Sequence, residues 1–167
     1  SVTIAVPPPP PSGGGGGGGA PPSSTVVTNL FGTTGGFTID SNGIVQATIT
    51  ATSADGKLTV TIPAGTKALD KNGKPLTSLK SVINTSPPAP PTGTNIIGLA
   101  YSFGPDGAIF APPITLTWSY DPNTLPTGVA EEALIIAYYD ATTGKWVELQ
   151  GVVDAANNKI SASVAHF

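Results

Sequence analysis

Residues 7–24 fix what this chain can fold into, because no stretch of that composition can enter a hydrophobic core. Five prolines (Pro7–Pro11) are followed by Ser12, seven glycines (Gly13–Gly19) and Ala20-Pro21-Pro22-Ser23-Ser24. The prolines favour a stiff polyproline II rod, and consecutive glycines form a coil that is costly to order. Fully extended, such a spacer reaches roughly 60 Å. Ahead of it stands a hexapeptide, Ser1 to Val6, with Val2, Ile4 and Val6 on one face and Ser1, Thr3 and Ala5 on the other. That alternation is the pattern of a strand with one buried face. The spacer therefore divides the chain into a tethered strand (1–6), a linker (7–24) and a body (25–167).

The body reads as short strands broken by turns. Val45, Ala47, Ile49 and Ala51 alternate with polar partners, as do Leu58, Val60 and Ile62, and Ile97, Leu99, Tyr101 and Phe103. The clearest strand places Ile114, Leu116, Trp118 and Tyr120 inward, with Thr115, Thr117 and Ser119 outward. Leu134–Tyr139 is apolar on both faces and is predicted to be a central strand. Trp146–Leu149 and Ile160–His166 complete the set. Between them lie Ser41-Asn42-Gly43, Asp55-Gly56, Lys71-Asn72-Gly73, Asp106-Gly107, Thr143-Gly144 and Asn157-Asn158, residues that accept positive φ or bond their own backbone. This spacing predicts an all-β fold, an antiparallel β-sandwich. The run Pro87–Pro91 offers a subdivision into 25–86 and 92–167. Helix is expected only as one turn near Val129–Ala133.

Composition narrows the partners. With seven Lys+Arg and a net charge of −3, the chain has no cationic cluster for a phosphate backbone. No apolar run approaches the roughly 18 residues of a membrane-spanning helix. Lack of cysteine removes disulfides, thiolate nucleophiles and Cys-based zinc sites.

Candidate chemistry is thin. His166 is the sole histidine, so a multi-histidine metal site is excluded and a strand or edge position is expected. The acidic residues (Asp40, Asp55, Asp70, Asp106, Asp121, Glu131, Glu132, Asp140, Glu148 and Asp154) mostly sit in turns, where structure accounts for them without the paired carboxylates of a glycosidase. Asp40-Ser41-Asn42-Gly43 and Asp70-Lys71-Asn72-Gly73 faintly resemble calcium loops but lack the later bidentate glutamate. The glycine run is no phosphate loop, since no Lys-Ser/Thr follows it. Trp118, Tyr120, Tyr138, Tyr139 and Trp146 are expected in the core rather than on a sugar-binding face. Asn84-Thr85-Ser86 matches the N-glycosylation pattern, with Pro87 directly after it. Catalytic, cofactor and metal sites are accordingly expected to be absent.

Leu58-Thr59-Val60-Thr61-Ile62-Pro63-Ala64-Gly65-Thr66 resembles the ZU5 family, in which an apolar strand runs into an Ile-Pro-x-Gly turn. Tyr101–Gly107 and Phe110–Leu116 resemble later strands of the same family. From about Ile44 to Phe167 the chain is similar to repeat domains of archaeal and bacterial surface proteins. They share Ile-Gly-Leu-x-Tyr, Phe-x-Pro-Pro-Ile-Thr-Leu, Tyr-Tyr-Asp followed by Gly-Lys-Trp-Val-Glu-Leu, and a closing Val-x-His-Phe. The resemblance implies a β-sandwich with a structural or adhesive role at the cell surface and carries no enzymatic residues. Such domains continue past His-Phe into one more apolar strand. Here Phe167 ends the chain, and Ser1–Val6 reads like that continuation.

The expectation is a non-catalytic extracellular subunit that polymerises head to tail, Val2, Ile4 and Val6 of one copy filling an open edge of the next. Burying three side chains does not by itself offset the ordering of six residues, so contacts between bodies are also required. The competing expectation is an adhesive or ligand-binding repeat domain of a larger surface protein.

Overall fold

A computed structural model describes residues 22–167, so the Ser1–Val6 strand and nearly all of the linker lie outside the described residues. These residues form an all-β sandwich without α-helix, and three one-turn 3-10 segments are the only helical elements among them. Among the described residues no helix is long and apolar enough to cross a membrane.

The first sheet contains β1 (Ser23–Leu30), β2 (Thr33–Asp40), β6 (Ser78–Asn84) and β7 (Ala100–Gly104), in the order β2-β1-β6-β7. β1 begins at Ser23, ahead of the expected body boundary at Thr25, because Ser23 and Ser24 pair with Asp40 and Ile39. Val26, Thr28 and Leu30 are buried and the residues between them exposed, the two-residue period of a half-buried strand. The β1–β2 hairpin turns on Phe31 and Gly32, both at positive φ (55° and 82°), as a two-residue primed turn demands. β6 runs parallel to β1 and antiparallel to β7.

The second sheet is built around β8 (Ile109–Ser119). One edge of β8 bonds β12 (Lys159–His166); the other is shared by β4 (Leu58–Ile62) and β5 (Lys67–Leu69). β3 (Ile49–Thr52) and β11 (Gly151–Asp154) close the two sides, giving the order β11-β12-β8-β4-β3. A separate hairpin pairs β9 (Ala137–Asp140) with β10 (Lys145–Glu148).

The inward alternation predicted for β8 is present: Ile114, Leu116 and Tyr120 are buried and Trp118 half-buried. Together with Val26, Ile39, Val60, Ile62, Leu79 and Phe110 the β8 aliphatics form the main core. Strands from 25–86 and 92–167 are hydrogen-bonded to each other in both sheets, and this core draws on both, so the proline run at 87–91 does not separate two cores. A smaller cluster holds Tyr120, Leu134 and Ile160. Gly98 sits so close to it that a Cβ there would lie 2.9 Å from the Trp118 ring.

Leu134–Tyr139 is not a central strand. A 3-10 turn at Glu131–Ala133 precedes it, the strand starts only at Ala137, and β10 is its sole bonded partner among the described residues. Its two apolar faces serve packing instead: Leu134 enters the small cluster, Ile136 touches both clusters, and Ile135 stays half exposed.

Candidate assembly site

Several of the carboxylates that could have carried chemistry are bonded within their own turns. Asp40 Oδ1 accepts from the backbone N–H of Asn42 and Ile44, and Asp70 Oδ1 from those of Asn72 and Lys74. Both are side-chain-capped turns, and the calcium-loop resemblance ends there. No group of three metal-ligating side chains occurs among the described residues. The Lys74 amide holds Asp70 below the usual carboxylate value, the Ser53 hydroxyl does so for Asp55, and the Thr143 hydroxyl for Asp140. Tyr120 moves the other way, to about 12, because its hydroxyl donates to Glu131 Oε2 at 2.6 Å. Asn84 Oδ1 accepts from the Ser86 amide, which places the glycosylation candidate in a turn at the end of β6.

His166 lies in β12, exposed, with Tyr138 of β9 meeting its ring edge-on at 5.5 Å. Its neighbour Phe167 stacks on Phe103 of β7 at 4.9 Å and meets Phe110 at 5.2 Å. The Phe167 backbone is pinned on both sides, its N–H to Ala108 and its carbonyl to Gly107. The end of β12 thus touches both β7 and β9, yet these two strands belong to different sheets and share no ladder.

β7 has β6 on one side and no strand on the other among the described residues. The apolar side chains around this edge are poorly covered. Ile83, opposite Tyr101, is 53% exposed and Leu99 is 49% exposed, whereas Leu79 on the same face of β6 is 1% exposed. Tyr101 and Phe103 are half-buried and are held by Phe31, whose ring meets theirs edge-on at 5.3 and 6.4 Å. An aromatic residue at positive φ is uncommon. Here it is fastened by its own N–H, which donates to Ser81 Oγ at 3.0 Å.

Two other surfaces stand out. A groove of about 380 Å³ at the β11 side is lined by Leu134, Ile135, Leu149, Val153 and Ile160. A cleft of about 520 Å³ lies between Tyr139, Trp146 and Pro88-Ala89-Pro91. The Trp146 indole N–H donates to the Ala89 carbonyl at 2.9 Å, and Tyr139 meets Trp146 edge-on at 5.6 Å. The aromatic residues expected in the core are therefore divided. Trp118 and Tyr120 pack inside, while Tyr139 and Trp146 form an outer cleft that alternation alone does not reveal.

The expected donor residues Val2, Ile4 and Val6 lie outside the described residues. Compared with protein family models, curated proteins and solved structures, the chain finds no match.

Proposed function

We propose that this chain is a non-catalytic, ZU5-like structural subunit of an extracellular, pilus-like filament. Ser1–Val6 of one copy adds a strand to the open β7 edge of the next, and Val2, Ile4 and Val6 cover its apolar flank. The observation that supports this most is the pairing of an unbonded edge with half-exposed apolar side chains at Ile83 and Leu99. An added strand would satisfy the backbone groups of β7 and bury those side chains together. Val27 and Val82, 62% and 51% exposed on the outer face of the same sheet, supply apolar surface for the wider contacts between bodies that such an assembly needs. Donor segment and acceptor edge are different parts of the chain, so contacts would repeat head to tail.

Deletion of residues 1–6 tests the proposal. Light scattering and negative-stain microscopy are expected to show filaments for the full chain and monomers for the deletion; filaments that survive it would sink the idea. The chain lacks cysteine, so Thr3→Cys in one copy and Ser102→Cys in another report the contact without background. Their mixture is expected to form a disulfide-linked pair on oxidation.

The second reading is an adhesive or ligand-binding repeat domain of a larger surface protein, and the Tyr139–Trp146 cleft favours it. Persistent monomers at micromolar concentration, with binding on a glycan array, would select that reading.

A further inference from the structure

We propose that the Tyr139–Trp146 cleft is a polyproline-binding site whose occupant is Pro7–Pro11 of a second copy. The identity of the occupant rests on the strand-addition reading; the recognition chemistry rests on the cleft itself.

That chemistry is already in use inside the molecule. Trp146 donates its indole N–H to the carbonyl of Ala89, within Pro87-Pro88-Ala89-Pro90-Pro91, and Tyr139 stands beside it. Flat aromatic rings with an N–H aimed at a carbonyl in a proline run are the groups that recognise polyproline II segments. The internal run forms one wall of a cleft of about 520 Å³, which leaves space beside Tyr139, 37% exposed, for a second segment. The chain contains one other proline run of this length, Pro7–Pro11, and it follows the Ser1–Val6 hexapeptide without a break.

Position links the two. The internal run begins three residues after Asn84, which pairs with Ala100 at the start of β7. The turn end of the β9–β10 hairpin, at Gly144 and Lys145, faces that run across the cleft. At the other end of β7, Phe103 lies on Phe167. Placed antiparallel to β7, a donor strand would enter near Phe103 and leave near Ala100, and the five prolines that follow it would run toward the segment that carries Pro88 and Ala89. Residues 12–21 then remain to join this point to the donor's own β1, a reach of up to about 35 Å. A stiff segment docks with little loss of conformational freedom, so docked prolines would lock the inserted strand.

The experiment uses the full chain and measures the critical concentration for assembly by light scattering. The variant carrying Pro7→Ser through Pro11→Ser and the variant Trp146→Ala are each expected to raise it about tenfold, and their combination to raise it no further. Trp146→Phe, which keeps a ring for the incoming prolines and loses the N–H that holds Ala89 in the cleft wall, is expected to fall between. Unchanged values, or effects that multiply when combined, overturn the proposal. A second readout is independent of polymers: the indole N–H resonance of Trp146 in the dilute serine variant, titrated with a synthetic peptide of residues 1–13. A saturable shift, at least tenfold weaker for a peptide with serines at 7–11, supports the cleft even if the wild type never polymerises. Loss of filaments on deleting residues 1–6 with indifference to the prolines rejects the cleft and leaves strand addition standing. An indole resonance already at its bound position in dilute wild-type monomers assigns the cleft to the chain's own prolines and rejects the second copy.

Discussion

β8 and β7 carry the same kind of apolar alternation and end in opposite surroundings. β8 is bonded along both edges, and its inward residues Phe110, Ile114 and Leu116 are 1%, 0% and 7% exposed. β7 is bonded along one edge, and the apolar side chains beside it, Ile83 and Leu99, are about half exposed. Alternation states which face of a strand is apolar, and nothing about how many neighbours the strand has. A strand whose apolar face is fully used contributes to the stability of one copy. A strand whose face is half used has that burial left for association.

The contrast breaks most sharply under mutation of the two faces. Ile114→Ala removes buried methylenes from a fully packed site and is expected to cost about 3 kcal/mol in chemical denaturation of dilute protein. Ile83→Asp is expected to change the same measurement by no more than about 0.5 kcal/mol, because the side chain is already half in water. It is expected to abolish filaments nonetheless, since a charge then faces the donor strand. Equal loss of monomer stability from both substitutions would show that the β7 flank belongs to the core and is no acceptor.

What the residues disclosed follows the same division. β8 and β4 were legible because both strands present one buried face, so Ile114-Leu116 and Leu58-Val60-Ile62 show a clean period of two. The Asp70-Lys71-Asn72-Gly73 turn was legible as a turn, and its carboxylate is consumed by its own backbone. Leu134–Tyr139 misled because a segment packed between two clusters is apolar on both sides without being a central strand. The β1–β2 turn was hidden by Phe31, an aromatic at a position usually held by Asn, Asp or Gly. The open edge and the Trp146 cleft depend on residues far apart in the chain, Ala89 with Trp146 and Phe103 with Phe167, and no local pattern encodes such meetings.

A smaller effect distinguishes the closed end of the sandwich by pH. Tyr120, just beyond β8, donates to Glu131, which raises its pKa to about 12. A raised tyrosine contributes stability fully below its unfolded value, near 10, and loses it as pH climbs through the folded value. The melting temperature of dilute protein is thus expected to fall between about pH 10 and 12 more steeply for the native chain than for Tyr120→Phe. Identical alkaline profiles would show that the Tyr120–Glu131 bond does not hold Leu134 and its neighbours to β8.

The smallest effect tests how completely the paired side of β8 is satisfied. Thr66 immediately precedes β5 and is fully buried, and its hydroxyl is the one buried side-chain polar atom without a partner among the described residues. Its backbone is well used: the N–H donates to Pro63 and the carbonyl accepts from Val45. The hydroxyl therefore carries a desolvation cost with no bond in return, and Thr66→Val replaces it by a methyl group of similar size. The substitution is expected to raise stability by up to about 1 kcal/mol in a denaturant titration, with assembly unchanged. Destabilisation would mean that the hydroxyl has a bonded partner after all, and the β8 side of the sandwich would then be fully satisfied, unlike the β7 edge.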